Sequence, residues 1–221
     1  MTERVVVVGG GGFGRETLDV LEALIAAGEP FEALGVLDAA PRDADLDQLR
    51  ARRIPYLGTD AEWLSGAAKD ELYVVAIGDP AIRRSVADRF ADAGLRAATL
   101  IHPRATIGSQ ARIGQGVVVT AGVQISTNVT IGDHVHLNPA SVIGHDAVLS
   151  DFVSVNPGAI VSGNVTVEVG VLLGAGSVVL QGLAVGAGAT VGASACVTRD
   201  VSPRRVVVGV PAREITRGEA S

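Results

Sequence analysis

The sequence predicts an α/β domain followed by a parallel β-helix of hexapeptide repeats. The first observation is an aliphatic residue at every sixth position from Ile101 to Val197, without interruption. A helix repeats about every 3.6 residues and a strand about every 2, whereas a coil of three short flat faces produces a period of six. The second observation is the alternation of strand and helix patterns over residues 1–100, which is typical of a parallel sheet covered by helices.

The first 100 residues contain short β-branched runs separated by amphipathic segments. A β-branched run indicates a buried strand, and apolar residues spaced three and four apart indicate a helix. The predicted elements are a strand at 4–8, a helix at 15–27, a strand at 34–38, a helix from Thr59 or Asp60 to Leu64, a strand at 72–77, a helix at 81–93 and a strand at 96–100.

A glycine-rich segment lies between the first strand and the first helix. Gly9, Gly11 and Gly14 satisfy the pattern G-x-G-x-x-G, which lets backbone amides approach a phosphate at a helix N-terminus. Asp38 ends the second strand, where a carboxylate can hold a ribose or a base edge. The alternative interpretation is a tight packing turn, with Asp38 as a solvated strand end.

The repeat reads aliphatic, then most often Gly, Asn or Ser, two variable residues, a small or aliphatic residue and one more variable residue. Three hexads make a coil of about 18 residues, so the series predicts roughly five coils. Residues one coil apart stack, which places His145 over Thr127 and under Gly163. Asn138 and Asn156 also stack, and the alternative to a functional role for them is a simple hydrogen-bonded ladder.

His145 is followed directly by Asp146. An imidazole at the coil surface suits proton removal near neutral pH, and a neighbouring carboxylate holds its tautomer and raises its basicity. The alternative is an exposed histidine beside a charge by chance. His134 is interpreted as a solvated corner and His102 as part of the domain junction.

The composition and charge of the chain exclude some classes of binding partner. The formal net charge is −6 without a basic patch, which argues against nucleic acid. The single cysteine, Cys196, excludes an intramolecular disulfide and leaves a cytosolic location open, and we expect a cytoplasmic protein. The sequence has neither a leader pattern nor a long apolar run, so we expect neither secretion nor membrane insertion.

Five segments together resemble a bacterial family of sialic acid O-acetyltransferases and nucleotide-4-amino-sugar N-acetyltransferases. The segments are GGGGFGRE at 9–16, AIGDPAIRR at 76–84, LIHPRATIG at 100–108, VIGHDAVLSDFVSVNPGAIVSGNV at 142–165 and GVPAR at 209–213. The resemblance covers nearly the whole chain. It implies a Rossmann-like first domain, a left-handed β-helix and a homotrimer that holds acetyl-CoA in a groove between neighbouring subunits.

The resemblance also implies roles for particular residues and domains. His145 matches the general base and Asp146 the acid that raises its basicity. The implied substrate contacts are Gly11, Gly12, Phe13, Asp38 and Gly78, and the implied contacts to coenzyme A are Ala175, Ala193 and Pro211. From their places in the coil we also expect Asn138 to contact the substrate and His136, Ser154 and Gly174 to contact acetyl-CoA. The implied domains are a nucleotide-sugar-binding domain at 1–100, an acyltransferase domain at 101–200 and a tail near the coenzyme A site at 201–221.

Two residues depart from the family pattern. Ser154 stands where some members have a second histidine that contacts acetyl-CoA, and we hypothesise that His136, one coil below, reaches that region instead. Ala39 replaces the second of two acidic residues near the nucleotide. The Arg-x-Asp-x-His element of coil-type carbonic anhydrases is absent from the sequence, so we expect no metal.

We therefore predict an acetyl-CoA-dependent enzyme that acetylates the C4 amine of a UDP- or GDP-linked 4-amino-4,6-dideoxy sugar by direct transfer. One alternative is O-acetylation of a sialic acid or another sugar. A further alternative is a non-catalytic trimeric assembly module.

Overall fold

The computed structural model describes residues 2–68 and 70–215 and divides the chain into two compact units, Met1–Pro103 and Arg104–Ser221. The first unit contains four parallel strands in the order β2-β1-β3-β4. Its elements are β1 (Glu3–Val8), α1 (Gly12–Ala26), β2 (Phe31–Leu37), α2 (Asp43–Ala51), α3 (Asp60–Leu64), β3 (Leu72–Val75), α4 (Pro80–Asp92) and β4 (Arg96–Ala97), followed by β5 (Leu100–Ile101).

The central strand β1 has no polar face. Val5, Val6 and Val7 have no solvent-exposed surface, because a parallel sheet is covered on both sides. This burial explains the continuous aliphatic run in the sequence.

Two helices of the first unit differ from the sequence-based expectation. Helix α1 begins at Gly12, three residues before the predicted start, so part of the glycine segment is helical. Helix α2 (Asp43–Ala51) was not predicted, because its only aliphatic residues besides alanine are Leu46 and Leu49. That pair is too sparse to show a helical period. Helix α3 begins at the expected place, with Thr59 as its N-cap in a capping box with Glu62.

The second unit is a parallel β-solenoid, as the six-residue period predicts. Its two-residue strands each end on an aliphatic residue of the series, and the solenoid has about six turns where roughly five were expected. The strands are β6 (Thr106–Ile107), β7 (Arg112–Ile113), β8 (Val118–Val119), β9 (Gln124–Ile125), β10 (Thr130–Ile131), β11 (His136–Leu137), β12 (Val142–Ile143), β13 (Val148–Leu149), β14 (Ser154–Val155), β15 (Ile160–Val161), β16 (Thr166–Val167), β17 (Leu172–Leu173), β18 (Val178–Val179), β19 (Ala184–Val185), β20 (Thr190–Val191) and β21 (Cys196–Val197), then β22 (Val206–Val208) and β23 (Arg213–Ile215).

Three flat sheets form the faces of the solenoid. Within the described residues their strand orders are β7-β10-β13-β16-β19, β6-β9-β12-β15-β18-β21 and β8-β11-β14-β17-β20-β22, and β23 pairs antiparallel with β22. The register pairs residues 18 apart, as in Thr130 with Val148. Each residue therefore stacks on its counterpart in the next coil.

The aliphatic series forms the core of the solenoid. From Val119 to Val197 every member is at most 2% exposed. Ile107 is 39% exposed, because β6 is the edge strand of its sheet.

The corners of the solenoid repeat a left-handed backbone conformation. From Gln110 to Ser194, every sixth residue has a positive φ. Asp146 is one of these corner residues, with a φ of 60°. Asn and Asp tolerate this conformation better than most residues with a side chain.

Candidate functional site

His145 lies at a corner of the solenoid, in the turn between β12 and β13. Its Nδ1 lies 2.7 Å from Oδ2 of Asp146, the next residue. The two side chains are 57% and 43% exposed, so the pair faces solvent. The left-handed conformation of Asp146 helps to turn its carboxylate back towards the preceding imidazole.

The charge state of Asp146 fixes the role of each ring nitrogen. Hydrogen bonds from His145 and then from Asn128 hold the pKa of the Asp146 carboxyl below its usual range. An ionised carboxylate only accepts hydrogen bonds, so Nδ1 of the neutral ring carries the proton and donates it. The Nε2 lone pair then remains for proton removal, which is the arrangement of a general base.

Gly163 lies one coil above His145 and leaves room for its ring. A Cβ at Gly163 would lie 2.5 Å from Nε2 and 2.6 Å from Cε1 of His145. Any side chain at this position would therefore displace the imidazole. Asn128 lies one coil below Asp146, and its Nδ2 donates to Oδ1 of Asp146 at 3.0 Å. Neither residue was singled out in the sequence for a role beside the pair, although the 18-residue register places both there.

Asn138 directly follows β11, and β12 lies between it and His145 in the chain. It is 7% exposed, and its Nδ2 donates to the carbonyl of Val155 at 3.0 Å and to Oδ1 of Asn156 at 3.4 Å. These bonds form the asparagine ladder along the solenoid that the sequence analysis gives as the alternative to a functional role. The amide nitrogen is used by the solenoid, so a substrate contact by Asn138 depends on its remaining oxygen.

His136 and Ser154 are paired in register on β11 and β14. They are 1% and 2% exposed, and their sheet position is separate from the His145 corner. The hypothesis that His136 reaches the thioester in place of a histidine at Ser154 requires an accessible ring. The burial of both side chains gives that hypothesis no support, because a ligand would have to displace what covers them.

The other predicted contacts to acetyl-CoA lie on the corner that follows β14, β17 and β20. Gly174 packs so closely under the next coil that a Cβ there would lie 2.5 Å from the nitrogen of Ala193. Ala175 accepts a hydrogen bond from the Ser194 amide at 2.8 Å. Asn138 belongs to the same corner, and His145 does not. One solenoid therefore holds His145 and these residues on two different edges.

Pro211 lies in the turn between β22 and β23, after a cis peptide bond from Val210. The Cys196 amide donates to Gly209 at 3.0 Å, and the Ala212 amide donates to Cys196 at 2.7 Å, so this turn is tied to the last coil. The predicted tail at 201–221 is described only as far as Ile215, and residues 216–221 lie outside the described part of the chain.

The first unit contains a cavity of about 540 Å³ at the carboxyl ends of its parallel strands. It brings together all the predicted substrate contacts of that unit, at the place where open α/β sheets bind ligands. The lining residues are Val8, Gly9, Gly11, Gly12, Phe13, Leu37, Asp38, Ala39, Ala40, Asp60, Ala76, Ile77, Gly78, Ile82, Val86 and Arg89.

The glycines of the segment from β1 to α1 have different physical roles. A Cβ at Gly14 would lie 1.9 Å from the carbonyl oxygen of Gly9, so Gly14 is required for packing. A Cβ at Gly11 or Gly12 would meet nothing within 4 Å, because both face open space. Gly11 is also the N-cap of α1 and provides no side-chain cap, and the first residues of the helix, Gly12 and Phe13, line the cavity.

Asp38 organises the rim of this cavity. Its carboxylate accepts hydrogen bonds from the Gly10 amide at 2.7 Å and from the Ala40 amide at 2.9 Å. Tyr56 donates its hydroxyl to the Asp38 carbonyl at 2.9 Å. The glycine segment and the end of β2 are thus joined through one carboxylate, which keeps unused lone pairs for a ligand.

Two arginines of α4 were not singled out in the sequence for a role at the cavity. Arg83 is fully buried, and its Nη1 donates to the carbonyls of Ile77 at 2.7 Å and Gly78 at 3.1 Å. Burial lowers the pKa of its guanidinium to about 10, so the group stays charged at neutral pH. Arg89 pairs with Asp60 on the cavity wall.

Residues 2–68 and 70–215 contain no cluster of three or more His, Cys, Asp or Glu side chains that could hold a metal ion. The helices in those same residues are all too short or too polar to cross a membrane.

The sequence is similar to that of known N-acetyltransferases. Residues 4–90 match the family of the PglD N-terminal domain. GDP-perosamine N-acetyltransferase of Escherichia coli O157:H7 is 32% identical over 142 residues, which are 63% of this chain and 61% of that protein. UDP-N-acetylbacillosamine N-acetyltransferase of Bacillus subtilis (strain 168) is 32% identical over 129 residues, which are 54% and 52% of the two chains. The matches thus span about three fifths and about half of these relatives.

Solved structures match over nearly the full length. The acetyltransferase domain of PglB from Neisseria gonorrhoeae FA1090, in complex with acetyl coenzyme A, is 30% identical with a TM-score of 0.83, over 97% of this chain and 100% of that one. PerB from Caulobacter crescentus, in complex with CoA and GDP-perosamine, is 31% identical with a TM-score of 0.83, over 98% and 99% of the two chains. Both units of this chain therefore have counterparts in one structural family.

Proposed function

The chain belongs to the nucleotide-4-amino-sugar N-acetyltransferase family, and we propose that it transfers the acetyl group of acetyl-CoA to the C4 amine of a 4-amino-4,6-dideoxy sugar linked to UDP or GDP. The observation that carries this proposal is the His145–Asp146 pair, with Nε2 left as the basic nitrogen at a solvent-facing corner. The similarity to a full-length structure that holds CoA and GDP-perosamine supplies the substrate class.

The proposed reaction is a direct transfer. The sugar amine attacks the thioester carbonyl, a carbon–nitrogen bond forms, and the carbon–sulfur bond breaks to release coenzyme A. His145 Nε2 takes the proton that the amine loses, and Asp146 stabilises the imidazolium that forms. The imidazolium then gives this proton to the departing sulfur of coenzyme A. A backbone N–H beside the ring supports the negative charge that develops on the carbonyl oxygen. Gly163 is placed for this role, because its main chain lies against Nε2.

The cavity of the first unit is the proposed site of the nucleotide. The open N-terminus of α1 at Gly11 and Gly12 suits a diphosphate, because its amides and helix dipole favour negative charge. Phe13 and Gly78 line the same cavity, and Asp38 offers a carboxylate to the hydroxyl or N–H groups of the nucleoside. The mostly apolar wall suits the flat faces of a base.

A homotrimer is part of the proposal. His145 and the proposed coenzyme A contacts Gly174, Ala175 and Ala193 occupy different edges of one solenoid. The edge of one copy that carries His145 can face the edge of a neighbouring copy that carries the proposed coenzyme A contacts. A ring of three identical copies repeats this contact and closes. A cytoplasmic location also belongs to the proposal and is supported by the single cysteine.

The experiment is an acceptor panel with acetyl-CoA. GDP- and UDP-linked 4-amino-4,6-dideoxy sugars are compared with their 4-hydroxy counterparts, and the products are analysed by mass and by NMR at C4. We expect coenzyme A release and an amide at C4 for at least one amino sugar, and no product from its hydroxy counterpart. Transfer to a hydroxyl, or no release of coenzyme A with any acceptor, contradicts the proposal.

Binding of the nucleotide can be measured separately. Trp63 is the single tryptophan of the chain and stacks on Phe90 with ring centroids 5.9 Å apart. It belongs to α3, which begins at the cavity residue Asp60. Titration with UDP, GDP and CMP should change its fluorescence for the preferred nucleotide, and Asp38→Asn should weaken that binding.

A further inference from the structure

We propose that Asn128 is a positioning residue for catalysis, which orients the Asp146 carboxylate and through it the ring of His145. This inference rests on the proposed function, because it assigns Asn128 to the general base of that reaction. The side chain of Asn128 donates to the Asp146 carboxylate. Its effect passes through one carboxylate.

The carboxylate of Asp146 is held at both oxygens. Oδ2 lies 2.7 Å from Nδ1 of His145, and Oδ1 accepts from Nδ2 of Asn128 at 3.0 Å. A carboxylate fixed at both oxygens has a defined plane as well as a defined position. The imidazole bonded to it is therefore held in one orientation, with Nε2 directed away from the pair.

This second hydrogen bond matters because the pair is exposed. The Asp146 side chain is 43% exposed and the His145 side chain 57% exposed. Without another restraint, water competes for the carboxylate and the side chain gains rotational freedom. A hydrogen bond to a charged group is stronger than a neutral one, so the Asn128 amide offsets that loss.

The backbone alone does not explain the asparagine. Asn128 and Asn164 occupy equivalent corners one coil below and one coil above Asp146, with φ values of 59° and 56°. Asparagine suits both corners, but of these two asparagines Asn128 is the one whose side chain donates to Asp146 in the described part of the chain. Gln110 and Gly182, which occupy the neighbouring corners of this column, carry no charge. Asn164 therefore provides a matched control.

The first test is spectroscopic and needs no substrate. The ¹⁵N shifts of His145 report which ring nitrogen carries the proton in the neutral form. We expect the Nδ1–H tautomer in the unmodified protein and in Asn164→Ala. In Asn128→Ala we expect a mixture with the Nε2–H tautomer, because the carboxylate is no longer fixed. Asn128→Gly, which removes the donor without strain at the corner, should behave as Asn128→Ala does.

The second test is kinetic. We expect Asn128→Ala to lower kcat by about tenfold, less than the roughly 10²–10⁴-fold expected for loss of the base. The KM for acetyl-CoA should change by less than about twofold, and Asn164→Ala should retain the original kcat. An unchanged tautomer in Asn128→Ala, or an equal loss in Asn164→Ala, overturns the proposal. If the unmodified protein acetylates no amino sugar, the proposed function fails. The tautomer measurement then still tests whether Asn128 orients Asp146 and His145.

Discussion

Single residues around His145 decide how its ring is held. Gly163 is the clearest case, because a methyl group there would lie 2.5 Å from Nε2. Ala175 and Ala193 occupy the same position of the repeat, so the backbone accepts alanine at this place. The steric conflict is therefore with His145.

We expect Gly163→Ala to fold normally and to lower kcat by about 10–100-fold, since a displacement of about 1 Å can cost 10²-fold. Steady-state kinetics and the thermal midpoint measure the two effects. The control is the same substitution in a His145→Ala background, where no further loss should occur. An unchanged kcat in Gly163→Ala contradicts the conclusion that a side chain at this position displaces the His145 ring.

The sequence predicts some of these residues and leaves others hidden. The adjacency of His145 and Asp146 is visible directly, and the 18-residue register identifies Thr127 and Gly163 as neighbours. The register does not give side-chain directions, so the bond from Asn128 to Asp146 emerges only from the structure. Arg83 is also hidden, because a buried arginine that holds two carbonyls has the same sequence appearance as a solvated one.

Among the elements, the solenoid shows how one position tolerates several small residues. Ser141 and Ser177 occupy the inward position also held by Ala159, and the three are at most 1% exposed. The hydroxyls of both serines have no hydrogen-bond partner in the described part of the chain. A buried hydroxyl without a partner costs free energy on folding.

We expect Ser141→Ala and Ser177→Ala to leave the free energy of unfolding unchanged or to raise it by about 1 kcal/mol. The reverse change, Ala159→Ser, should lower it by roughly 1–3 kcal/mol. Denaturant titration at fixed pH gives all three values. A clear loss of stability in both serine variants shows that these hydroxyls are satisfied.

The side chain of Asp45 links α2 to α1 through an ion pair with Arg15. Its carboxylate accepts from Arg15 at 2.5 Å and from Arg42 at 2.6 and 2.9 Å. Hydrogen bonds from Arg42 and then Arg15 lower the pKa of Asp45 to about 2. A lowered pKa stabilises the fold above the unfolded value of about 3.9, and that stabilisation is lost as the pH falls through about 2.

We therefore expect Asp45→Asn to be less stable than the unmodified chain at neutral pH, with a gap that narrows as the pH falls below about 4. Asp47→Asn is the control, because the Asp47–Arg50 pair is 69% and 73% exposed and contributes little. Urea midpoints measured from neutral to acidic pH test this. A gap that stays constant with pH shows that the carboxylate charge is not the cause.

The elements also show where sequence reasoning succeeds. The six-residue period predicts the strands of the solenoid, because every coil repeats the same inward contact. The period cannot show that Ile107 is partly exposed, since this depends on β6 being at a sheet edge. Helix α2 escapes prediction because its apolar burial rests on Leu49. The start of α1 at Gly12 escapes prediction because glycines in a sequence indicate a loop rather than a helix.

At the scale of the whole molecule, the proposed base and the proposed coenzyme A contacts lie on different edges of the solenoid of one chain. We predict that the active site needs residues from two copies. His145→Ala and Ala193→Arg should each be nearly inactive alone, the second because its side chain fills the coenzyme A groove. Co-expressed in equal amounts, they should recover about one quarter of the activity per subunit, since random trimers form some interfaces with both original residues.

The result that contradicts a shared site is a co-expressed mixture with no more activity than either variant alone. The control is co-expression of His145→Ala with itself under two tags, which establishes that copies mix. The same samples, analysed by mass in solution, report the number of chains in the assembly.

The most direct test of the account is the effect of His145→Ala on acetyl transfer to the preferred nucleotide-linked 4-amino sugar. We expect kcat to fall by about 10²–10⁴-fold, the usual cost of a lost general base. KM for both substrates should stay within about twofold, because the ring acts on the proton and contributes little to binding. Turnover close to that of the unmodified enzyme would contradict the assignment of His145 as the base.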